Sequence, residues 1–259
     1  MRTSPDIRNA PPIMELRQYL LQPGRRDDLI ELFDREFVET QEAVGIEVVG
    51  QFRDLDRPDY FVWLRSFDDM ESRRHSLTAF YGGPVWAAHR DVANATMIDS
   101  DNVLLLRPVS IDAGLHSGDP ASRDHHSTCG AIVASIQHRK PGREADYNKF
   151  FETTLQPQLD ATGARTLGVY ETEPAENNFP RLPVRDADVL VWFAAFDTLE
   201  HFDSAWPTLQ QLTSSSSNDL ARELSFVASD VLRLTPTSRS LLDGTAQGID
   251  RRVDRERLT

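Results

Sequence analysis

Near its start the chain reads Ile13-Met14-Glu15-Leu16-Arg17-Gln18-Tyr19-Leu20-Leu21, with Glu15, Arg17 and Tyr19 alternating with Met14, Leu16 and Leu20. On a strand, successive side chains point to opposite faces, so these three polar residues share one face. If that face meets bulk water, it is the polar side of a sheet. If it is enclosed between the two sheets of a barrel, Glu15 and Arg17 must pair or bind a ligand, because an isolated buried charge is very costly. Arg17 would then clamp a carboxylate or enolate oxygen.

A second set of chemical groups lies between His75 and Asn102. Pro84 suits the first turn of a helix after the Gly82-Gly83 break. Val85, His89, Val92 and Thr96 then fall on one stripe of that helix. His89 is a titratable group on an otherwise apolar stripe. It is either an acid or base working near neutral pH or a core histidine satisfied by a carbonyl. Tyr81, Trp86 and, on the preceding helix, His75 complete a candidate pocket. Arg90 and Asn94 are helical neighbours, reading as a solvated pair or as two polar groups facing one ligand. Asp91 reads as solvated, and Asp99 and Asn102 as turn formers.

Composition narrows the classes. A net charge of −13 opposes a general nucleic-acid binder or docking on an anionic membrane. The single cysteine, Cys129, excludes an internal disulfide and a multi-cysteine metal cluster. No nucleophile elbow, phosphate-binding glycine loop, dinucleotide fingerprint or paired-histidine zinc helix is present in the sequence. We therefore expect no organic cofactor and no metal. His125 and His126 beside Asp124 could ligate a metal but read as a polar patch in a linker. With no signal-like start and no run long enough to span a bilayer, the expectation is a cytoplasmic protein.

The elements that must position these groups come in two matching sets. Ile13–Leu21 runs into Pro23-Gly24-Arg25, and Ala131–His138 runs into Pro141-Gly142-Arg143. Amphipathic helices follow, marked by Leu29, Phe33 and Phe37 and by Tyr147, Phe151 and Leu155. Glycines at Gly45 and Gly163 end them. The stretches Tyr60–Asp68 and Val189–Asp197 each carry a Trp, then a Phe four residues on, then an Asp. Asp68 with Glu71, and Asp197 with Glu200, have the spacing of helix caps. Each half reads strand–helix–strand–strand–helix–strand, an α+β, ferredoxin-like βαββαβ module. Two such sheets can cover each other's bare faces within one chain.

The expected organisation is a disordered stretch 1–12, a module 13–108, a linker 109–129, a second module 130–236 and a tail 237–259. An insertion, 173–186, interrupts the second module's central hairpin, either as a lid or as ornament. At the positions of Glu15, Arg17 and Tyr19 the second module has Val133, Ser135 and Gln137. Opposite His89 it has a serine-rich run around Ser214 to Asp219 and no histidine.

Glu15-Leu16-Arg17-Gln18-Tyr19 followed by Pro23-Gly24 resembles the opening of NIPSNAP domains. The stretch Phe80-Tyr81-Gly82-Gly83-Pro84-Val85-Trp86-Ala87-Ala88-His89-Arg90-Asp91, continuing from Asn94 to Leu106, is similar to a segment of bacterial members. The resemblance covers residues 13–108 strongly and 130–236 weakly. It implies the dimeric α/β-barrel superfamily, in accord with the pattern. It implies no single activity, since related barrels include cofactor-free monooxygenases, dehydratases, lyases and haem proteins.

The functional expectation is a small-molecule enzyme with a pocket in the N-terminal module. Its chemistry would be isomerisation, cyclisation, elimination, hydration or cofactor-free oxygenation. His89 is the expected acid or base, assisted by Tyr81 and His75. Arg17 or Arg90 would hold an anionic oxygen, with Glu15, Tyr19, Trp86 and Asn94 lining the site. Two alternatives stay open: a non-catalytic binding or interaction protein, and a haem barrel with His75 or His89 as ligand. The expected partner is a small molecule, and a homodimer of the whole chain stays open.

Overall fold

The computed structural model describes residues 12–110, 113–115, 131–213, 223–224 and 230–242. The first half runs β1 (Ile13–Leu21), α1 (Arg26–Leu32), α2 (Val38–Glu42), β2 (Glu47–Asp54), β3 (Tyr60–Phe67), α3 (Met70–Tyr81), α4 (Pro84–Asn94), β4 (Met97–Asp99) and β5 (Val103–Pro108). The second runs β6 (Ala131–His138), α5 (Glu144–Phe150), α6 (Gln156–Ala161), β7 (Arg165–Thr172), β8 (Val189–Phe196), α7 (Leu199–Thr213) and β9 (Asp230–Pro236). A π-helical turn joins α1 to α2 at Phe33–Phe37 and α5 to α6 at Phe151–Leu155, so the same irregularity recurs at the same place in both modules.

The strands close into an antiparallel ring, β1-β3-β2-β9-β6-β8-β7-β5 and back to β1. Two seams join the halves: β2 pairs with β9, and β5 with β7. The chain is therefore two ferredoxin-like modules forming one closed eight-stranded barrel. The short β4 adds to the end of β1 beside Leu20 and Leu21. Closure removes the free sheet edges along the ring, which would otherwise expose unpaired backbone.

Strand alternation sorts side chains into an inner and an outer layer. Met14, Leu16, Val62, Leu64, Leu104 and Leu106 point inward and meet Ile132, Ala134, Val191, Phe193 and Leu232 from the other half. The barrel interior is thus an apolar core, packed solid by both modules. The outer faces carry the helices: α1 to α4 cover the first module, and α5 to α7 the second.

This sorting corrects one expectation. Glu15, Arg17 and Tyr19 face neither water nor the barrel interior but the layer beneath their own helices, where all three are buried. The barrel interior took the large aliphatic residues of β1 instead, because only these match the apolar face of the opposite module.

Other departures are local. The caps of α3 and α7 fall one residue later than the spacing suggests: Ser72 N donates to Asp69 Oδ1 at 2.7 Å, and His201 N to Thr198 Oγ1 at 3.0 Å. Residues expected to be unstructured are partly docked. Val109 N donates to Val169 O at 3.1 Å, and Leu115 N to Tyr170 Oη at 2.6 Å. Beyond β9, Ser240 and Leu242 lie buried against β2, Ser240 Oγ accepting from Gln51 N at 3.1 Å. Asp124, His125, His126, Cys129, the run Ser214 to Asp219 and residues 1–11 lie outside the described residues.

Candidate functional site

β1 and β3 are registered with Glu15 opposite Arg65 and Arg17 opposite Trp63. Directly opposed residues of an antiparallel pair share a face, so this register brings the Arg65 guanidinium onto Glu15. Helix α3, laid over the same face, delivers Arg73. Three guanidinium groups converge on one carboxylate: Arg17 Nη1 at 2.5 Å and Arg65 Nε at 2.8 Å from Glu15 Oε2, and Arg73 Nε at 2.7 Å from Oε1. All four residues are essentially inaccessible, at 0% for Glu15, Arg65 and Arg73 and 1% for Arg17.

Burial is the largest single influence on Glu15 and works against its ionisation. Arg65, Arg17 and Arg73 together overcome it and hold the carboxyl well below the usual carboxylate range. The cluster carries three positive charges against one negative, so it is cationic in a place closed to water. Its donors are not all used. Arg73 Nη2 has no acceptor, and Arg65 Nη2 lies 2.7 Å from Glu15 Oε2 without hydrogen-bond geometry.

Above the cluster lies Tyr19. Its hydroxyl oxygen accepts from Arg17 Nε at 2.8 Å. Burial, the dominant influence, raises the Tyr19 ionisation above that of a free phenol, although Arg17 opposes it. Tyr19 is therefore a neutral phenol whose oxygen is already bound by a cation, leaving its own proton available to another acceptor.

Tyr19 lines a small, partly open cavity of about 30 Å³, together with Phe33, Phe37, Gln41, Trp63, Phe80, Tyr81 and Trp86. That is room for about one or two water molecules. Tyr81 and Trp86, edge to face with ring centroids 4.9 Å apart, form the outer wall. The same two rings line an open groove of about 400 Å³ with Arg90, Asp91, Asn94, Phe179, Arg181 and Leu182.

The insertion supplies part of this arrangement from the other half of the chain. Arg73 Nη1 donates to Asn177 Oδ1 at 3.1 Å and to Asn178 Oδ1 at 2.9 Å. Asn178 Nδ2 donates to the carbonyl of Met70 at 2.5 Å, and Phe179 stacks on Tyr81 with centroids 6.0 Å apart. The second module thus roofs the site of the first.

Of the residues singled out in the sequence, the fold gathers Glu15, Arg17 and Tyr19 into the cluster and Tyr81 and Trp86 into the shared wall. Arg90 and Asn94 come together in the groove. The histidines are elsewhere. His89 Nε2 sits 3.3 Å from Glu36 Oε2, its side chain 31% exposed, outside both the cavity and the groove. His75 is largely exposed on α3 beside Glu71 and Arg74. The expected stripe of α4 is rotated by about one residue, because Val92 is 57% exposed while Ala93 is buried. That rotation turns Trp86 inward and leaves His89 at the rim.

Arg65, Arg73, Gln41, Trp63 and the insertion's Asn177, Asn178 and Phe179 were not singled out in the sequence. Arg65 carried a signal: it is the one charge in Tyr60–Phe67, and the matching strand Val189–Phe196 has Ala194 there. Arg73 carried none that separates it from Arg74 beside it.

Among the described residues no group of three or more His, Cys, Asp or Glu is placed to hold a metal ion, and no helix is long and apolar enough to cross a membrane. Residues 14–112 match the family model of NIPSNAP domains. In fold, the chain is similar to a candidate monooxygenase from Fusobacterium nucleatum, with a TM-score of 0.57 and 9% identity over 88% of this chain and 93% of that one. It is similar to an anthrone oxidase-like protein at TM-score 0.57 and 11% identity, over 88% and 92% of the two chains. A candidate monooxygenase from Lactobacillus acidophilus follows at 0.55 and 10%, over 88% and 94%. No protein of curated function matches the sequence. Identities this low speak for a shared fold and not for shared chemistry. Residues 14–112, which match the NIPSNAP family model, build one half of a closed α/β barrel that this chain completes with its own second half.

Proposed function

We propose that the first module is the catalytic half of a small-molecule enzyme that stabilises an oxyanion developing on a flat enolisable or phenolic substrate. The observation that carries this is the buried Arg17–Tyr19 pair at the floor of a small aromatic cavity. Arg17 occupies the acceptor side of the Tyr19 oxygen, so the Tyr19 proton is free to meet a substrate oxygen. The cation behind it makes that proton a stronger donor as negative charge grows. Pre-aimed donors in a site closed to water are among the most effective catalytic devices. The buried positive excess of Arg17, Arg65 and Arg73 over Glu15 acts in the same sense.

A substrate so held loses a proton to solvent more readily, from the carbon or oxygen conjugated with the bound oxygen. The resulting anion can be reprotonated elsewhere, expel a leaving group, or pass electrons to dioxygen. The last outcome is worth testing first, because similarly folded proteins carry the names monooxygenase and anthrone oxidase-like. Tyr19 takes the place expected of His89, with Tyr81 still beside it, since both phenols line the cavity and neither His89 nor His75 does. The haem reading finds no histidine among the lining residues and a cavity far smaller than a macrocycle.

Anthrone in air-saturated buffer is the direct probe: anthrone plus dioxygen gives anthraquinone plus water. Quinone absorbance and oxygen uptake should exceed the buffer rate, and Tyr19→Phe should lower kcat/KM by about 10²- to 10³-fold. Equal rates for the wild type and Tyr19→Phe would remove the role given to Tyr19. A second reading, an assembly module, has in its favour two exposed apolar side chains, Val92 at 57% and Ile98 at 55%. Binding of anthrone without any turnover would move the balance towards non-catalytic function.

A further inference from the structure

The cavity beside Tyr19, at about 30 Å³, cannot enclose an organic molecule, whereas the groove outside it, at about 400 Å³, can. The two share only Tyr81 and Trp86 as walls. Tyr81 and Trp86 stand in contact between the two, so a substrate that spans both spaces parts these rings and leaves most of its body in the groove. The groove's polar side chains therefore decide which substrates are kept.

Those side chains are unusual for this protein. The chain as a whole has 41 acidic residues against 28 lysines and arginines, yet the groove has Arg90 and Arg181 against Asp91 alone. Several solvent-facing arginines elsewhere are held by carboxylates, as in Arg25–Asp28, Arg53–Asp27, Arg74–Glu71 and Arg143–Asp146, and Arg185 by the Asn102 amide. Arg90 has only a long contact to Asp91, at 3.4 Å, with both side chains more than half exposed. Arg181 has neither an ion pair nor a hydrogen bond among the described residues. Asn94, one turn beyond Arg90, adds an amide to the same wall.

The two arginines also come from different halves of the chain: Arg90 from α4 of the first module and Arg181 from the insertion of the second. The insertion is pinned in place by the Asn177 and Asn178 bonds to Arg73 and by Phe179 on Tyr81. A guanidinium on each bank of a groove suits a planar anion, which can take paired N–H donors from both sides.

We infer that the substrate carries a carboxylate, held in the seam groove by Arg90 and Arg181 while its phenolic or enolic oxygen reaches Tyr19 between Tyr81 and Trp86. This rests on the oxyanion reading of Tyr19 for the inner contact and on the groove alone for the outer one. The substrate class is a flat hydroxy- or keto-aromatic acid, and the second half of the chain supplies half of its specificity.

Calorimetric titration of the full chain with 2-naphthol, 2-naphthoate and 6-hydroxy-2-naphthoate separates the two contacts. The hydroxy acid should bind at least about tenfold more tightly than 2-naphthol, the worth of one good charged hydrogen bond. Arg90→Gln and Arg181→Gln should each remove most of that advantage and leave 2-naphthol binding unchanged. Both positions are exposed, so an unaltered Tm verifies that the variants are folded. Equal affinity for the hydroxy acid and 2-naphthol, an advantage insensitive to either arginine, or no binding of any of the three overturns the inference. Tyr19→Phe should weaken 2-naphthol and the hydroxy acid but not 2-naphthoate. If 2-naphthoate binding depends on the arginines while Tyr19→Phe changes nothing, the groove assignment stands and the oxyanion reading falls.

Discussion

The two modules place the same elements over the same kind of sheet and fill the space between them in opposite ways. In the first, β1 and β3 pair Glu15 with Arg65 and Arg17 with Trp63; in the second, β6 and β8 pair Val133 with Ala194 and Ser135 with Trp192. Arg73 of α3 has its positional counterpart in Phe202 of α7, fully buried in the apolar cluster of the second module. Where Tyr19 meets Arg17, Gln137 Nε2 donates to Ser135 Oγ at 2.6 Å and Gln137 Oε1 accepts from Tyr147 Oη at 2.9 Å. At these matched positions one half buries a charged cluster beside a cavity, and the other buries aromatic and aliphatic packing with a short neutral hydrogen-bond chain, keeping its own buried arginine, Arg139, beyond the end of β6 on Asp188 and Glu171. The scaffold therefore does not need the charges. Buried ion clusters are often no more stabilising than well-packed apolar residues, so their retention in one half points away from folding and towards binding.

The sharpest way to break this comparison is to remove the one anion. Glu15→Gln leaves three buried guanidiniums without a counter-charge and should cost about 3–5 kcal/mol in urea unfolding. The acid side follows from linkage. The folded state holds the Glu15 carboxyl below its ordinary value, so its contribution is complete above that value and fades as the pH falls below about 4.5. The Glu15→Gln protein should accordingly lose less stability than the wild type over that acid range. Identical acid slopes in both proteins would remove Glu15 from the account.

A second test converts one half into the other. The quadruple variant Glu15→Val, Arg17→Ser, Arg65→Ala and Arg73→Phe takes the residues of the second module. Although it carries three further changes, it should be more stable than Glu15→Gln alone by about 1–4 kcal/mol, since no unpaired charge remains. It should also lose oxyanion binding. A quadruple variant less stable than the single one would mean that the first module's packing has been built around the charges.

A smaller effect is expected at the roof. Asn177→Ala with Asn178→Ala leaves Arg73 Nη1 without acceptors and should cost about 1–3 kcal/mol. Unaltered urea midpoints would show that Phe179 on Tyr81 and the bonds of Glu173 and Arg185 to β5 and Asn102 hold the insertion without them. The smallest effect belongs to His89→Ala. It removes a half-exposed contact with Glu36 and should change stability by no more than about 0.5 kcal/mol. A loss of turnover of about a hundredfold would return the acid–base role to His89.

Much of this architecture was readable from residue types alone. The repeated Pro-Gly-Arg turns, the Trp-bearing strands and the helix-ending glycines sufficed for two modules, and closure followed from two bare sheet faces needing cover. Alternation also put Glu15, Arg17 and Tyr19 on one face. It could not say which face, because a strand in a helix-covered barrel is enclosed on both sides and the period is the same either way. Arg73 was hidden for a related reason: only the phase of α3, fixed by the Asp69 cap, separates it from the solvated Arg74. The phase of α4 slipped by about one residue, which is the difference between Trp86 and His89 at the pocket. The contacts of Asn177, Asn178 and Phe179 span the two halves and have no local signature.

Closure of the ring within a single polypeptide carries a consequence for stoichiometry. A barrel assembled from two identical chains would present two equivalent sites and could fall apart on dilution. Here both halves are tethered, so the partner surface is always at high effective concentration and pairing is independent of how much protein is present. With Glu15, Arg17, Arg65 and Arg73 on one side only, the described residues hold one such buried cationic cluster per 29.3 kDa chain. On the function proposed above, such an object titrates as a single class of site. Its second half, the roofing loop included, can then differ in sequence without spoiling a second copy of the same chemistry.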